Sequence, residues 1–284
     1  GIRDKLVTEF RRVLFRSVGN VDTRTICEQI GKIFASLSGK RSSPPSVAVL
    51  PPLPNQAVNL VDSQGVGDRL SLIWDMPWSP ITDSQSLQQY WLGDLAREVL
   101  YWHLQPAEPD ATNTDTRFGL DCRVFYQRAQ CGLNIDTSAE KMPGQVEKVA
   151  ADFANLRDKG LTQSEFDSLM SRKLTELNTL FATYARTGTQ TLMSQRLRSQ
   201  QNAVVDISPE QYQRLRQAFL GGLTLEALNH ELHLQLSQPL SMVLVQPQGE
   251  AEIPVSSLKA RFDGIVSPVA DSGDSHTPVP AANQ

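Results

Sequence analysis

The chain has 284 residues and a formal net charge of −4, and 40% of its residues are hydrophobic while 20% are charged. This balance is typical of a globular protein with one large domain or two modest ones. Weak acidity without a basic stripe argues against nucleic-acid binding. The chain contains no run of about 18 apolar residues, which would be needed to predict a membrane span.

The first segment, residues 1–16, carries five basic residues and runs into a glycine turn at Gly19. It has two interpretations, an amphipathic terminal helix or foreign sequence such as a translated adapter. After it, Asp22 is placed to cap a helix whose first turn it precedes. That helix is predicted from the apolar residues that recur on one face, Ile26, Ile30, Ile33, Phe34 and Leu37.

Residues 41–55 are rich in proline and serine. Proline fixes φ and cannot donate to a strand ladder, so this stretch is predicted to be a semi-rigid linker and a domain boundary.

After the linker, strands come early in the chain and most helices follow one another without intervening strands. Strands are predicted at residues 57–62 and 70–74, then a buried helix at 84–105 and a hairpin formed by 119–126 and 127–136. Helices then begin near residues 144, 163, 189, 209 and 225, and a last strand covers residues 240–246. This order predicts an α+β fold, a two-layer sandwich of an antiparallel-rich sheet packed by helices. Residues 248–284 are predicted to be a largely disordered tail, because they hold little apolar content.

The hairpin places two cysteines opposite each other. If Tyr126 and Gln127 form the turn, Cys122 faces Cys131 in a non-hydrogen-bonded pair with Cα atoms about 4.5 Å apart. A cross-strand disulfide would fit an oxidising compartment, and two small buried thiols on an apolar face would fit equally well. The third cysteine, Cys27, is predicted to lie buried in its helix.

Histidines offer weak candidates for a metal site. His230 and His233 stand at i and i+3 on a predicted helix and could in principle share one metal. His230 projects almost opposite the apolar stripe of that helix, which favours a solvated face instead. His103 is predicted to be a packed or helix-terminal residue, and His276 has no assigned role.

Several motifs together resemble the insulinase/pitrilysin family, also called inverzincins. The segment Val18-Gly19-Asn20-Val21-Asp22 is similar to the V-G-D/N-V-D that closes one family domain. Gly160-Leu161-Thr162-Gln163-Ser164-Glu165-Phe166 is similar to the G-L-T-x-x-E-[FL] helix start. Ser208-Pro209-Glu210 and residues 222–225 resemble the starts of the last two helices. The resemblance covers about residues 17–247 and is nearest to enterobacterial, periplasmic zinc-protease-like members.

The resemblance implies a division of the chain. Residues 17–40 would end the first peptidase-like domain, 41–55 would be the linker and 56–247 the second peptidase-like domain. It also favours foreign sequence for residues 1–16, because Glu9-Phe10-Arg11-Arg12 departs from the β-strand that the family has there.

Active family members carry H-x-x-E-H on a first-domain helix, where two histidines hold zinc and the glutamate activates water. The resemblance places that motif ahead of residue 17, so it implies no catalytic residue and no cofactor in this chain, with zinc possible in the preceding part. A later family pattern resembling L-R-x-x-x-x-x-G-Y supplies a substrate-holding arginine and tyrosine. Leu104-Gln105 and Phe118-Gly119-Leu120 stand there instead, although Arg117 and Arg123 lie nearby.

The resemblance therefore implies the C-terminal, non-zinc-binding domain of a periplasmic metallopeptidase-family protein. Its expected partners are the first domain of the same protein and a peptide or unfolded protein, which a sheet edge can take by strand addition. The alternative is a non-enzymatic binding or scaffold module derived from the peptidase fold. A separate metalloenzyme built on His230 and His233 is the weakest hypothesis.

Overall fold

The structure is a computed structural model that describes residues 22–36, 49–105, 115–183, 187–205 and 207–267. The predictions for residues 1–16, for the motif at 18–21, for linker residues 41–48, for His276 and for the tail beyond residue 267 lie outside these ranges.

Eight helices lie in the described ranges. They are α1 (Thr23–Phe34), α2 (Ser84–Leu104), α3 (Met142–Lys159), α4 (Gln163–Thr183), α5 (Thr189–Gln201), α6 (Pro209–Gly222), α7 (Leu225–Leu236) and α8 (Val255–Val266). None of them is both long and apolar enough to cross a membrane.

Short polar side chains begin several of these helices at the predicted positions. Asp22 accepts hydrogen bonds from the backbone of Arg24 and Thr25 at the start of α1. Ser208 and Gln211 form a reciprocal capping box at α6, and Thr224 accepts from the N–H of Ala227 at α7. Each cap satisfies a first-turn N–H that has no partner within the helix, which explains why the helices begin there.

One mixed sheet holds the five strands of the described ranges. They are β1 (Ala57–Asp62), β2 (Arg69–Pro77), β3 (Arg117–Phe125), β4 (Arg128–Asp136) and β5 (Ser241–Pro247). Their order across the sheet is β1-β5-β2-β4-β3. β1 runs parallel to β5, and the other neighbours are antiparallel. The predicted α+β fold with an antiparallel-rich sheet is confirmed.

The helices cover one face of this sheet, and the core lies between the two layers. Alternate strand residues point into it, as period-two side chains must. The fully buried strand residues include Leu70, Leu72, Leu133, Ile135, Met242 and Leu244. Leu95 and Val99 of α2 and Val146 and Val149 of α3 meet them with no exposed surface. Intervening strand residues such as Ser71, Ile73, Val243 and Val245 are only half-buried, so the opposite face of the sheet is open.

The packed part of the domain extends past the predicted boundary at residue 247. Helix α8 buries Val255, Leu258 and Phe262, and the ring of Phe262 packs edge-to-face on Phe153 of α3 with centroids 5.5 Å apart. The prediction of a tail from residue 248 is therefore wrong as far as Ser267. The sequence contains only a short apolar patch there, but three apolar residues at helical spacing suffice when α3 offers a complementary face.

Candidate functional site

The β3–β4 hairpin turns at Tyr126 and Gln127, which both have positive φ, 46° and 62°. Such values are those of a two-residue type I′ turn, whose twist matches the twist of the strands. The turn sets the register, which pairs Cys122 with Cys131. A disulfide joins these two residues, with Cα atoms 4.1 Å apart. The bond fastens β3 to its neighbour halfway along its length.

Strand β3 is an edge of the sheet, with β4 on one side and no strand of the described ranges on the other. Since Phe125 and Arg128 flank the turn as a hydrogen-bonded pair, every second residue of β3 bonds to β4. The backbone groups of Phe118, Leu120, Cys122 and Val124 therefore point away from the sheet. Among them, the carbonyl of Phe118 accepts a hydrogen bond from the Tyr101 hydroxyl at 3.5 Å.

The helix layer stops short of this edge. Cys131 and Leu133 of β4 are 1% and 0% exposed, whereas their partners on β3 are not buried. Leu120 and Val124 are half-buried and Cys122 is exposed. These three side chains point toward the helices without being covered by them, so a groove runs along the helix-facing side of β3.

The groove has two adjoining sections of about 860 Å³ and about 640 Å³. Both sections share a wall formed by Trp78, Tyr90, Cys122 and Val124. The larger section continues past Leu177 and Leu192 to α6, and the smaller one continues along α2 to Tyr101. The groove is large enough for several side chains of a bound chain.

Aromatic residues form the helical wall of the groove and are fixed by their neighbours. The indole N–H of Trp78 donates to the carbonyl of Asn202 at 2.8 Å. Trp78 packs edge-to-face on Tyr90 at 5.8 Å, and Trp91 packs on Tyr212 at 5.5 Å. Burial, followed by the nearby charge of Asp94, raises the pKa of Tyr90, so its phenol is a neutral donor at physiological pH.

The smaller section has a polar floor contributed by α7. Glu231 and Gln235 are 8% and 4% exposed. The Gln235 amide donates to Glu231 Oε1 at 2.8 Å and to the Gly93 carbonyl at 3.0 Å. The Gln89 amide donates to Glu231 Oε2 at 3.2 Å. A side chain at position 93 would approach Gln235 Nε2 to 3.0 Å, so glycine is what allows α7 to come this close to α2.

His230 and His233 are exposed on α7, and they do not converge with a further ligand. His233 Nδ1 lies 3.1 Å from the carbonyl of Arg157. Within the described ranges, no cluster of three or more histidine, cysteine, aspartate or glutamate side chains could hold a metal ion. His103 Nε2 lies 3.6 Å from Glu165 Oε1, beside the start of α4.

Of the residues at the two positions of the family's arginine and tyrosine pattern, Leu120 lines the smaller section of the groove. Leu104 is fully buried, and Phe118 is half-buried on β3. Arg117 and Arg123 are exposed, and Arg123 pairs with Asp121 at 2.6 Å. A phenol beside Phe118 belongs to Tyr101, which was not predicted from the sequence. Its spacing, one turn before Leu104 on the same helix, was the available signal.

Comparison with known proteins places the chain in a family. A family model described as the peptidase M16 inactive domain matches residues 11–173, beginning inside the segment 1–16. Protein YhjJ of Escherichia coli is 49% identical over 251 residues, which are 88% of this chain and 50% of that protein. Protein YhjJ of Salmonella typhimurium is also 49% identical over 251 residues, 88% of this chain and 51% of that protein. The chain thus spans about half the length of the curated relatives it matches.

Solved structures agree with this placement. A predicted insulinase family protease from Yersinia pestis is 53% identical, with a TM-score of 0.83 over 88% of this chain and 54% of that one. The periplasmic protease PqqL of Escherichia coli shares the fold at 16% identity, with a TM-score of 0.71 over 94% of this chain and 30% of that one. The chain belongs to the insulinase-type M16 peptidase family, and it carries the inactive domain of that family.

Proposed function

We propose that this domain binds extended segments of peptide or unfolded protein by adding them to its sheet beside β3. It would do so as the C-terminal, non-zinc-binding domain of a metallopeptidase-family protein. The observation that carries the proposal is the uncovered helix-facing side of β3, where an unpaired strand edge borders an aromatic groove. Strand addition uses the ligand backbone for affinity and side-chain pockets for selection.

The geometry suits a ligand strand. Residues directly opposite each other on neighbouring antiparallel strands share a face of the sheet. Ligand residues opposite Leu120, Cys122 and Val124 would therefore direct their side chains into the groove. Their backbone would pair with the outward N–H and C=O groups of the same three residues. Each such hydrogen bond contributes about 0.5–1.5 kcal/mol, so several of them, together with apolar burial, give useful affinity.

A proline at position 120 tests this proposal. Leu120→Pro removes an N–H that points to the ligand, while the ladder to β4 keeps all of its hydrogen bonds. Fluorescence anisotropy would measure binding of labelled peptides of about ten residues with alternating apolar side chains. We expect affinity to fall about tenfold or more in Leu120→Pro and to remain in Leu120→Val, which keeps the N–H.

Equal affinities in Leu120→Pro and Leu120→Val would contradict strand addition at β3. Circular dichroism and thermal unfolding of both variants would show that the sheet is intact. A second route leaves the protein unchanged: N-methylation of alternate ligand amides should weaken binding in one of the two registers only.

The alternative, a non-enzymatic binding or scaffold module, is favoured by a different observation. The positions of the family's arginine and tyrosine carry Leu104-Gln105 and Phe118-Gly119-Leu120. In addition, α1 has no buried residue, and its apolar Ile33 is 68% exposed. Since α1 lies within residues 17–40, such an apolar face suits packing on the rest of the first domain of the same protein. Zinc content and chelator-sensitive peptide cleavage of a full-length relative would decide, since stoichiometric zinc with such cleavage would reject a scaffold role for the whole protein.

A periplasmic location is part of the proposal, supported by the Cys122–Cys131 bond, because disulfides persist in oxidising compartments. Intact-mass analysis of protein exported to the periplasm, with and without reductant before alkylation, would test whether the Cys122–Cys131 bond forms in that compartment. One disulfide per chain is expected, and complete alkylation of Cys122 and Cys131 without reductant would contradict it.

A further inference from the structure

The smaller section of the groove contains a carboxylate that forms no ion pair within the described residues. Glu231 is 8% exposed and is held by the neutral amides of Gln89 and Gln235. In the described part of the chain, no basic side-chain nitrogen lies within 4.0 Å of it. A buried carboxylate is costly unless an opposite charge accompanies its hydrogen bonds.

The other charged side chains around this section are already paired. Arg97 lies 3.5 Å from Asp94, and Glu98 lies 2.6 Å from Lys173 on α4. Arg123 pairs with Asp121 on the open face of the sheet. Arg97 also lies beside Gly93, close to Glu231, but its ion pair is with Asp94. Among the charged side chains that line the section, Glu231 is therefore the one available to form an ion pair with a cation of the ligand.

We propose that this section takes a lysine or arginine side chain of the bound peptide, with Glu231 as its counter-charge. The inference rests on the proposed strand addition at β3 and names the class of peptide. Leu120, Cys122 and Val124 form the strand wall of the section. A ligand residue opposite one of them therefore points between β3 and α2, toward the floor.

The walls suit the long stem of such a side chain. Tyr90 and Tyr101 line the section on the α2 side, and Leu120 and Val124 line it on the β3 side. Lysine and arginine bury their methylene stems along such surfaces and place the charged end at a polar group. Aromatic faces near the path add a favourable interaction with the cation. The Gln89 and Gln235 amides, which donate to Glu231, hold its carboxylate oriented.

A set of matched peptides tests the inference. Three peptides of one sequence would carry lysine, norleucine or glutamate at the central groove-facing position. We expect the wild-type domain to bind the lysine peptide about tenfold more tightly than the norleucine peptide, and the glutamate peptide most weakly. In Glu231→Gln, which keeps the size of the side chain and one acceptor oxygen for the Gln235 amide, the preference for lysine over norleucine should fall to about twofold or less.

The control is Glu226→Gln, which removes an exposed carboxylate from the first turn of the same helix and should keep the lysine preference. Equal binding of the lysine and norleucine peptides by the wild-type domain, with sensitivity to Leu120→Pro retained, would overturn the inference and leave strand addition standing. Absence of binding by all three peptides would instead count against strand addition itself. If Glu231→Gln does not fold, the wild-type peptide series alone decides.

Discussion

Asn229 fixes the connection between α3 and α4 with both ends of its side-chain amide. Its Oδ1 accepts from the N–H of Leu161 at 2.8 Å, and its Nδ2 donates to the carbonyl of Leu161 at 3.1 Å. Gly160 makes this possible, since its φ is +66° and a Cβ there would overlap the Asn229 amide. The positive φ and the close approach both require glycine.

Gly160→Ala should therefore destabilise the domain by about 2 kcal/mol or more, because it adds backbone strain and displaces Asn229. Urea unfolding followed by circular dichroism would measure the loss. Gly144→Ala is the matched control, because Gly144 lies within α3 and a Cβ there meets nothing within 4 Å. That change should be neutral or stabilising by about 0.5–1 kcal/mol, and equal effects of the two substitutions would contradict this explanation.

Asp152 on α3 gives a pH-dependent prediction. Burial raises its pKa above the usual value near 3.8, while Lys148 and His103 act against that rise, and its Oδ2 has no hydrogen-bond partner in the described structure. The folded state thus binds the proton more tightly than the unfolded state does. This side chain therefore costs stability as pH rises from about 3.8 through the raised pKa.

Asp152→Asn should raise the free energy of unfolding at pH 7, measured by urea denaturation, by about 0.5 kcal/mol or less because the side chain is partly solvated. The advantage should shrink as pH falls toward the usual aspartate pKa. Glu140→Gln, at an exposed position, should leave the midpoint unchanged at both pH values. A constant difference between Asp152→Asn and wild type across this range would contradict the linkage.

Local residue patterns could be predicted from the sequence, and distant contacts could not. The motif that begins at Gly160 correctly predicted the start of α4, but Asn229, which bonds to Leu161 of that motif, is 68 residues away from Leu161. The four residues His230-Glu231-Leu232-His233 drew attention to their histidines, whereas the inward groups are Glu231 and Gln235. Their spacing from Leu228, at i+3 and i+7, places them on the buried face and was the signal that pointed to them.

At the scale of elements, the hairpin illustrates what is predictable. Its turn and register depend on two residues and on period-two alternation, so the expected pairing of Cys122 with Cys131 agrees with the structure. The parallel pairing of β1 with β5 was not predicted, because it joins Ala57 to Met242 across most of the domain. Nothing in either strand alone specifies that neighbour.

Helix α8 provides an element-scale prediction. Phe262 is 1% exposed against Phe153, and Ile265 on the same helix is 39% exposed. Phe262→Ala should cost about 3–5 kcal/mol, because it leaves a cavity between α8 and α3. Ile265→Ala should cost less than about 1 kcal/mol. Thermal unfolding of the two variants would show the difference, and similar losses would mean that α8 contributes little to the core.

At the scale of the whole molecule, the groove results from how far the helix layer extends. Helices α2, α3 and α7 pack on one another, Phe153 of α3 packs on Trp74 of β2, and α2 approaches β3 near Phe118. Farther along β3, Leu120, Cys122 and Val124 are not buried by this layer. The sequence predicted helices α1 to α7 and the hairpin, but the limit of the helix layer depends on packing between elements far apart in the chain. For that reason the fold class and the possibility of strand addition were predictable, while the groove and its acidic floor were not.

Strand addition makes an alternating prediction for the backbone of β3. In the free domain, the amides of Asp121 and Arg123 face β4 and should exchange slowly, while those of Leu120, Cys122 and Val124 face outward and should exchange fast. Residue-resolved hydrogen exchange by NMR, with and without a saturating peptide, is the most direct test. We expect the peptide to slow amide exchange at Leu120, Cys122 and Val124 about tenfold or more. Binding that leaves the exchange rates of these three amides unchanged would contradict strand addition at β3.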